Sequence, residues 1–117
     1  MSAVTTHVLD TALGVPAAGV HVWLEQVSAA GRTEIARTRT GSDGRAGGLG
    51  PHRLAPGTYR LVFDTAGYFA STGRGPRAAF FPEVAITFTA DSGDGEAPHY
   101  HVPLLLSPFG YATYRGS

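Results

Sequence analysis

Glycine and proline cut this chain into short runs in which apolar residues recur at every second position. Val20, Val22 and Leu24 alternate with His21, Trp23 and Glu25. After the turn-forming Ala55-Pro56-Gly57, Tyr59, Leu61 and Phe63 alternate with Thr58, Arg60 and Asp64. Val84, Ile86 and Phe88 alternate with Ala85, Thr87 and Thr89, and Tyr100, Val102, Leu104 and Leu106 make a fourth stripe. A period of two sends successive side chains to opposite faces, so each run predicts a strand with one face for a core. Shorter strands are expected over residues 4–9, 33–38, 44–46 and 111–115.

Turn chemistry separates the runs at Gly14-Val15-Pro16, Ala30-Gly31, Gly41-Ser42-Asp43-Gly44 and Ser92-Gly93-Asp94-Gly95. One stretch departs from the β pattern: residues 65–73 suit a short helix with Thr65 as its N-cap and Gly73 as its stop. The expected fold is therefore all-β, a sandwich of seven to eight strands with one short helix. At 117 residues there is room for one domain, spanning 1–117. So short a chain buries a limited share of its surface, which makes self-association an expectation in its own right.

Composition narrows the chemistry. Nine basic residues balance nine acidic ones, and no basic run could neutralise a line of phosphates, so nucleic acid is not an expected partner. No apolar stretch approaches membrane-spanning length, and the opening Met-Ser-Ala-Val-Thr-Thr-His lacks the pattern of an export signal. A soluble cytoplasmic protein is expected. The absence of cysteine excludes disulfides, thiolate metal sites and a thiol nucleophile. Every basic residue is arginine, which removes Schiff-base lysines and the P-loop lysine as well.

The informative residues lie on faces that ought to meet water. His7 and Leu9 share one face of the opening strand, opposite Thr6 and Val8. His99, His101, Pro103 and Leu105 oppose the stripe of Tyr100, Val102 and Leu104, while Ala112 and Tyr114 share a face near the end of the chain. Apolar residues with histidines set among them suggest a covered surface that holds a ligand site. A single histidine on a strand is more often structural than functional. His99-x-His101 has a spacing used by zinc enzymes, but no third ligand accompanies it, and no metal site is expected. Arg45 reads by default as a turn residue and Ser117 as a frayed end. Pattern alone yields a β-sandwich with a candidate histidine site and no reaction.

Longer motifs say more. Thr6-His7-Val8-Leu9-Asp10, with Gly14-Val15-Pro16-Ala17-Ala18-Gly19-Val20, resembles the opening of the transthyretin superfamily. The ending from His99-Tyr100-His101-Val102-Pro103 through Tyr114-Arg115-Gly116-Ser117 resembles it again, as do Ser42-Asp43-Gly44-Arg45 and Phe80-Phe81-Pro82-Glu83 in the middle. Within the superfamily, the 5-hydroxyisourate hydrolase branch is marked by a histidine in the first strand, an arginine after Asp-Gly, a histidine before Val-Pro and a terminal Tyr-Arg-Gly-Ser. Here these are His7, Arg45, His101 and residues 114–117. The hormone-carrier branch lacks the tetrapeptide and both histidines.

The resemblance implies cofactor-independent hydrolysis of 5-hydroxyisourate in urate breakdown. His7 and His101 would handle protons, Arg45 would bind the purine ring and offset negative charge, and Ser117 would hydrogen-bond substrate or water. Tyr114, Arg115, Gly116, His99, Leu9 and Pro103 would line the substrate site. It also implies a homotetramer, a dimer of dimers with its sites at the dimer–dimer interface. A non-catalytic, transthyretin-like small-ligand carrier is the alternative.

Overall fold

The computed structural model describes residues 2–73, 79–91 and 98–117. In chain order, strand β1 covers Val4–Asp10, β2 Val15–Pro16, β3 His21–Ser28, β4 Gly31–Arg39, β5 Arg45–Ala46 and β6 Gly57–Phe63. Helix α1 covers Thr65–Thr72 and is followed by β7 at Val84–Ala90, β8 at Tyr100–His101, β9 at Leu104–Ser107 and β10 at Gly110–Thr113. These form two sheets. One runs β4-β3-β6-β7 and is antiparallel throughout. The other runs β10-β9-β1-β2, with β5 and β8 also paired to β1.

The inward faces of both sheets supply the core. Val4 and Val8 of β1 and Leu104 and Leu106 of β9 are buried with Val22, Leu24, Leu61, Phe63 and Tyr59 of the facing sheet. Burying Val, Leu and Phe side chains in this way contributes roughly 1.5–3 kcal/mol each. Strand β1 alternates strictly between buried and half-buried positions, so His7 and Leu9 face outward while Thr6 and Val8 face in, as the period of two requires.

Three expectations need correction. Gly14-Val15-Pro16 is not only a turn, because Val15 and Pro16 pair with Asp10 and Leu9 as β2. The helix is capped by Asp64, whose Oδ1 accepts the Gly67 N–H at 3.0 Å, rather than by Thr65. Thr65 is buried, and its hydroxyl instead donates to the Phe81 carbonyl. Gly73 does end the helix, in the left-handed conformation glycine adopts without strain.

The last correction concerns the fourth stripe, which is two strands and not one. Val102 still donates its N–H to the Thr5 carbonyl at 3.0 Å, but proline has none to give, so the ladder lapses at Pro103, and both residues are buried. The register on β1 is the same on both sides of Pro103, which differs from His101 and Leu105 in being buried. The Ser92-Gly93-Asp94-Gly95 turn lies outside the described residues.

Candidate functional site

Strand β1 organises the outward face of its sheet through sideways register. On one flank β5 runs antiparallel to it, setting Arg45 opposite His7 and Ala46 opposite Thr6. On the other flank β8 runs parallel, setting His101 beside Thr5. Gly116 then pairs with His101, its N–H donating to the His101 carbonyl at 2.8 Å. Residues from four separate stretches of chain thus meet across one strand.

Between them is a cavity of about 300 Å³ lined by Thr5, Thr6, Arg45, Ala46, Gly47, His99, His101 and Ser117. Arg45, His99, His101 and Ser117, all expected at the site, are brought together here. Two glycines make this geometry available. Gly44 has φ +79°, and a Cβ there would collide with the Val8 carbonyl, so only glycine lets the turn bring Arg45 against β1. A Cβ on Gly116 would meet the His101 ring.

The histidines are held differently. His7 lies at β1's outward face, and its Nε2 donates to the Asp43 carbonyl at 2.9 Å. A carbonyl only accepts, so that nitrogen carries a hydrogen, which makes Nδ1 the lone-pair nitrogen of the neutral ring. Asp43 also fixes the turn, its Oδ1 accepting the Arg45 N–H at 3.0 Å. His101 is half-buried, with Nδ1 2.8 Å from the Thr5 hydroxyl.

Burial lowers the His101 pKa from its ordinary 6.5, and the nearby Arg45, His99 and His7 lower it further, against a raising hydrogen bond to the Thr5 backbone. At neutral pH His101 is an uncharged imidazole, the form that can accept a proton.

Thr5 went unnoticed in the sequence. Its Oγ1 contacts both His101 and His99, the latter at 3.0 Å from Nε2. The available signal was its place on the same outward face as His7.

Other expected residues lie elsewhere. Tyr114 and Arg115 line a separate groove of about 240 Å³ with Ile86, Phe88, Tyr100 and Val102. There the Arg115 guanidinium stands 5.2 Å from the centre of the Tyr100 ring. Leu9 is opposite Leu105, and Leu105 opposite Ala112, so these three form an apolar row on the outward face beyond the cavity. Pro103 is buried, its carbonyl accepting the Thr113 hydroxyl at 2.7 Å. Among the described residues no group of three or more His, Asp or Glu side chains has the disposition of a metal site.

A model of the HIUase/Transthyretin family matches residues 4–116. The chain is 47% identical to the 5-hydroxyisourate hydrolase of Mesorhizobium japonicum, over 97% of this chain and 90% of that one. Its fold is similar to the 5-hydroxyisourate hydrolase structure from Klebsiella pneumoniae, with a TM-score of 0.82 and 34% identity over 100% of this chain and 94% of that one. It is equally similar in fold to sea bream transthyretin in complex with thyroxine, with a TM-score of 0.84 and 31% identity over 97% and 93% of the two chains. Fold alone therefore does not separate the two kinds of relative, whereas the 47% identity over nearly the full length favours the hydrolases. The chain belongs to the HIUase/Transthyretin family.

Proposed function

We propose that residues 1–117 act as one catalytic domain that hydrolyses 5-hydroxyisourate to 2-oxo-4-hydroxy-4-carboxy-5-ureidoimidazoline in urate degradation. The observation that carries this reading is the His101 imidazole, its pKa lowered by burial, sharing a polar cavity with Arg45 and Ser117. Water and a cyclic amide need a base, a site for developing negative charge and groups that orient the ring.

With Nδ1 engaged by Thr5, His101 offers Nε2 to the attacking water. Nε2 takes one proton as the oxygen bonds to C6 of the substrate, and the carbonyl electron pair moves onto oxygen. Arg45 offsets that charge through its guanidinium. Collapse then breaks the C6–N1 bond, and the proton held at Nε2 passes to N1. His7, with its lone pair at Nδ1, is the second proton-handling group on this face. Ser117 orients substrate or water through its hydroxyl, and His99 supports His101. The chemistry asks for no cofactor, because the cyclic ureide is already activated.

The reading extends to assembly and location. The apolar row Leu9, Leu105 and Ala112 and the exposed Tyr114 support a covered face. The proposed assembly is a homotetramer, a dimer of dimers, in which Leu9, Tyr114, Arg115 and Gly116 wall a site shared between subunits. Sedimentation at assay concentration is expected to give four times the chain mass; a fully active monomer would refute it. The proposed location is the cytoplasm, to be checked by fractionation.

The deciding experiment is the ultraviolet decay of freshly made 5-hydroxyisourate with and without the protein. Hydrolysis predicts acceleration in proportion to protein concentration. Decay at the spontaneous rate would return the protein to the carrier reading.

A further inference from the structure

Thr5 touches two imidazoles at once, and it does so through different ring atoms. Its Oγ1 lies 2.8 Å from His101 Nδ1 and 3.0 Å from His99 Nε2, and the two rings are 6.4 Å apart between centres. A hydroxyl has one proton to donate, so Thr5 donates to one ring and accepts from the other. Of the two arrangements, the one that leaves His101 Nε2 open to take a proton from water puts hydrogen on Nδ1, so that Thr5 Oγ1 accepts from His101 and donates to His99.

We propose that Thr5 is a positioning residue that joins His101 and His99 into one proton relay, with exposed His99 storing the proton during ring opening. The inference rests on His101 acting as the base in the proposed hydrolysis. As Nε2 of His101 takes a proton from water, its Nδ1 proton passes to Thr5 Oγ1, and the Thr5 hydroxyl proton passes to His99 Nε2. His101 is then neutral with hydrogen on Nε2, Thr5 is neutral, and His99 carries the positive charge. When His101 gives its Nε2 proton to the leaving N1, the relay runs back. His99 returns its proton to Thr5, Thr5 returns one to Nδ1, and all three groups are restored.

Electrostatics favours this separation. Partial burial opposes a charge on His101, as do Arg45 on β5, neighbouring His99 and His7 on β1, whereas His99 itself is exposed to water. A direct imidazolium at His101 would form against that field. Moving the charge one ring outward puts it where solvent can stabilise it.

The test pairs kinetics with long-range proton–nitrogen NMR of the histidine rings, using Thr5→Val, Thr5→Ser, His99→Gln and the Thr5→Val/His99→Gln double variant. Thr5→Val is expected to lower kcat about ten- to a hundredfold with KM little changed, as befits loss of part of the acid–base assistance. Thr5→Ser keeps the hydroxyl and is expected to recover most of that rate. His99→Gln is expected to match Thr5→Val, and the double variant to be no slower than either single variant, since each breaks the same relay. In the spectra, His101 is expected to hold its proton on Nδ1 in the wild type and to lose that preference in Thr5→Val.

Losses that multiply in the double variant, or a Thr5→Val protein with normal kcat and unchanged ring tautomers, would overturn the relay. Should the wild type fail to accelerate 5-hydroxyisourate decay, the hydrolase reading falls, and the spectra judge the Thr5 coupling on their own. Coupled tautomers would uphold it and independent ones would not.

Discussion

Replacing Gly116 with alanine tests whether a close approach of backbone to ring builds the site. An added Cβ would lie 2.5 Å from His101 Cδ2 and 3.2 Å from Cγ, whereas ordinary carbon contacts begin near 3.4 Å. Ring or tail must therefore give by about 1 Å, a misplacement that can cost about 10²-fold in rate. Neither retreat is free. The ring is held on its other side by Thr5 at 2.8 Å, and the tail is held by the Gly116 N–H on the His101 carbonyl at 2.8 Å.

Gly116 does not have a positive φ, so alanine brings no backbone strain of its own. The expected outcome is a kcat for 5-hydroxyisourate lowered about 10²-fold. The loss of stability is expected to be at most about 1 kcal/mol, from one weakened hydrogen bond near the chain's end. Kinetics and a thermal melt measured on the same preparation check both. A variant within twofold of wild-type kcat, with the His101 ring resonances unmoved, would refute the argument from packing.

His101→Asn fills similar space without a titratable nitrogen and is expected to lower kcat about 10² to 10⁴-fold with the fold intact by circular dichroism. The acid limb of kcat/KM is expected below pH 6.5, because the working form of His101 is neutral and its pKa is lowered; activity falls only as pH drops through that lowered value. A limb above 6.5 would contradict the assignment. Tyr68→Phe removes the 2.7 Å hydrogen bond from the phenol to buried Asp10 and is expected to cost about 1.5–3 kcal/mol in denaturant unfolding. Dialysis against EDTA is expected to leave the rate unchanged; loss of activity with EDTA and its return with zinc would recast His99 and His101 as ligands.

The outward placement of His7 and Leu9 was legible because β1 keeps a strict period of two, and that period survives folding wherever one face is buried. What period cannot convey is which strand lies alongside. Arg45 reaches His7 only through the register of β5 on β1, and Thr5 meets His101 only because β8 runs parallel to β1. The alternation of β8 continues into β9 in the same register on β1, and Pro103 departs from it only in being buried where His101 and Leu105 are half-buried. The cap shifted by one residue because Thr65 has a better partner in the Phe81 carbonyl than in its own helix. The motifs named Arg45, His99, His101 and Ser117 of the cavity but not Thr5, while the separation of Tyr114 and Arg115 into a neighbouring groove depends on how the chain leaves β10.

The parallel pairing of β1 with β8 and β9 also bears on how the molecule comes into being. Thr5 and His101 are 96 positions apart, so β1 leaves the ribosome well before these neighbours. Until then β1 has only the two-residue strands β2 and β5 beside it, and its ladder on the other flank is open. Contacts of such long sequence separation fold slowly and leave strand edges exposed meanwhile. A nascent chain would thus be catalytically silent until β8 has followed β1, and most liable to aggregate just before its cavity closes.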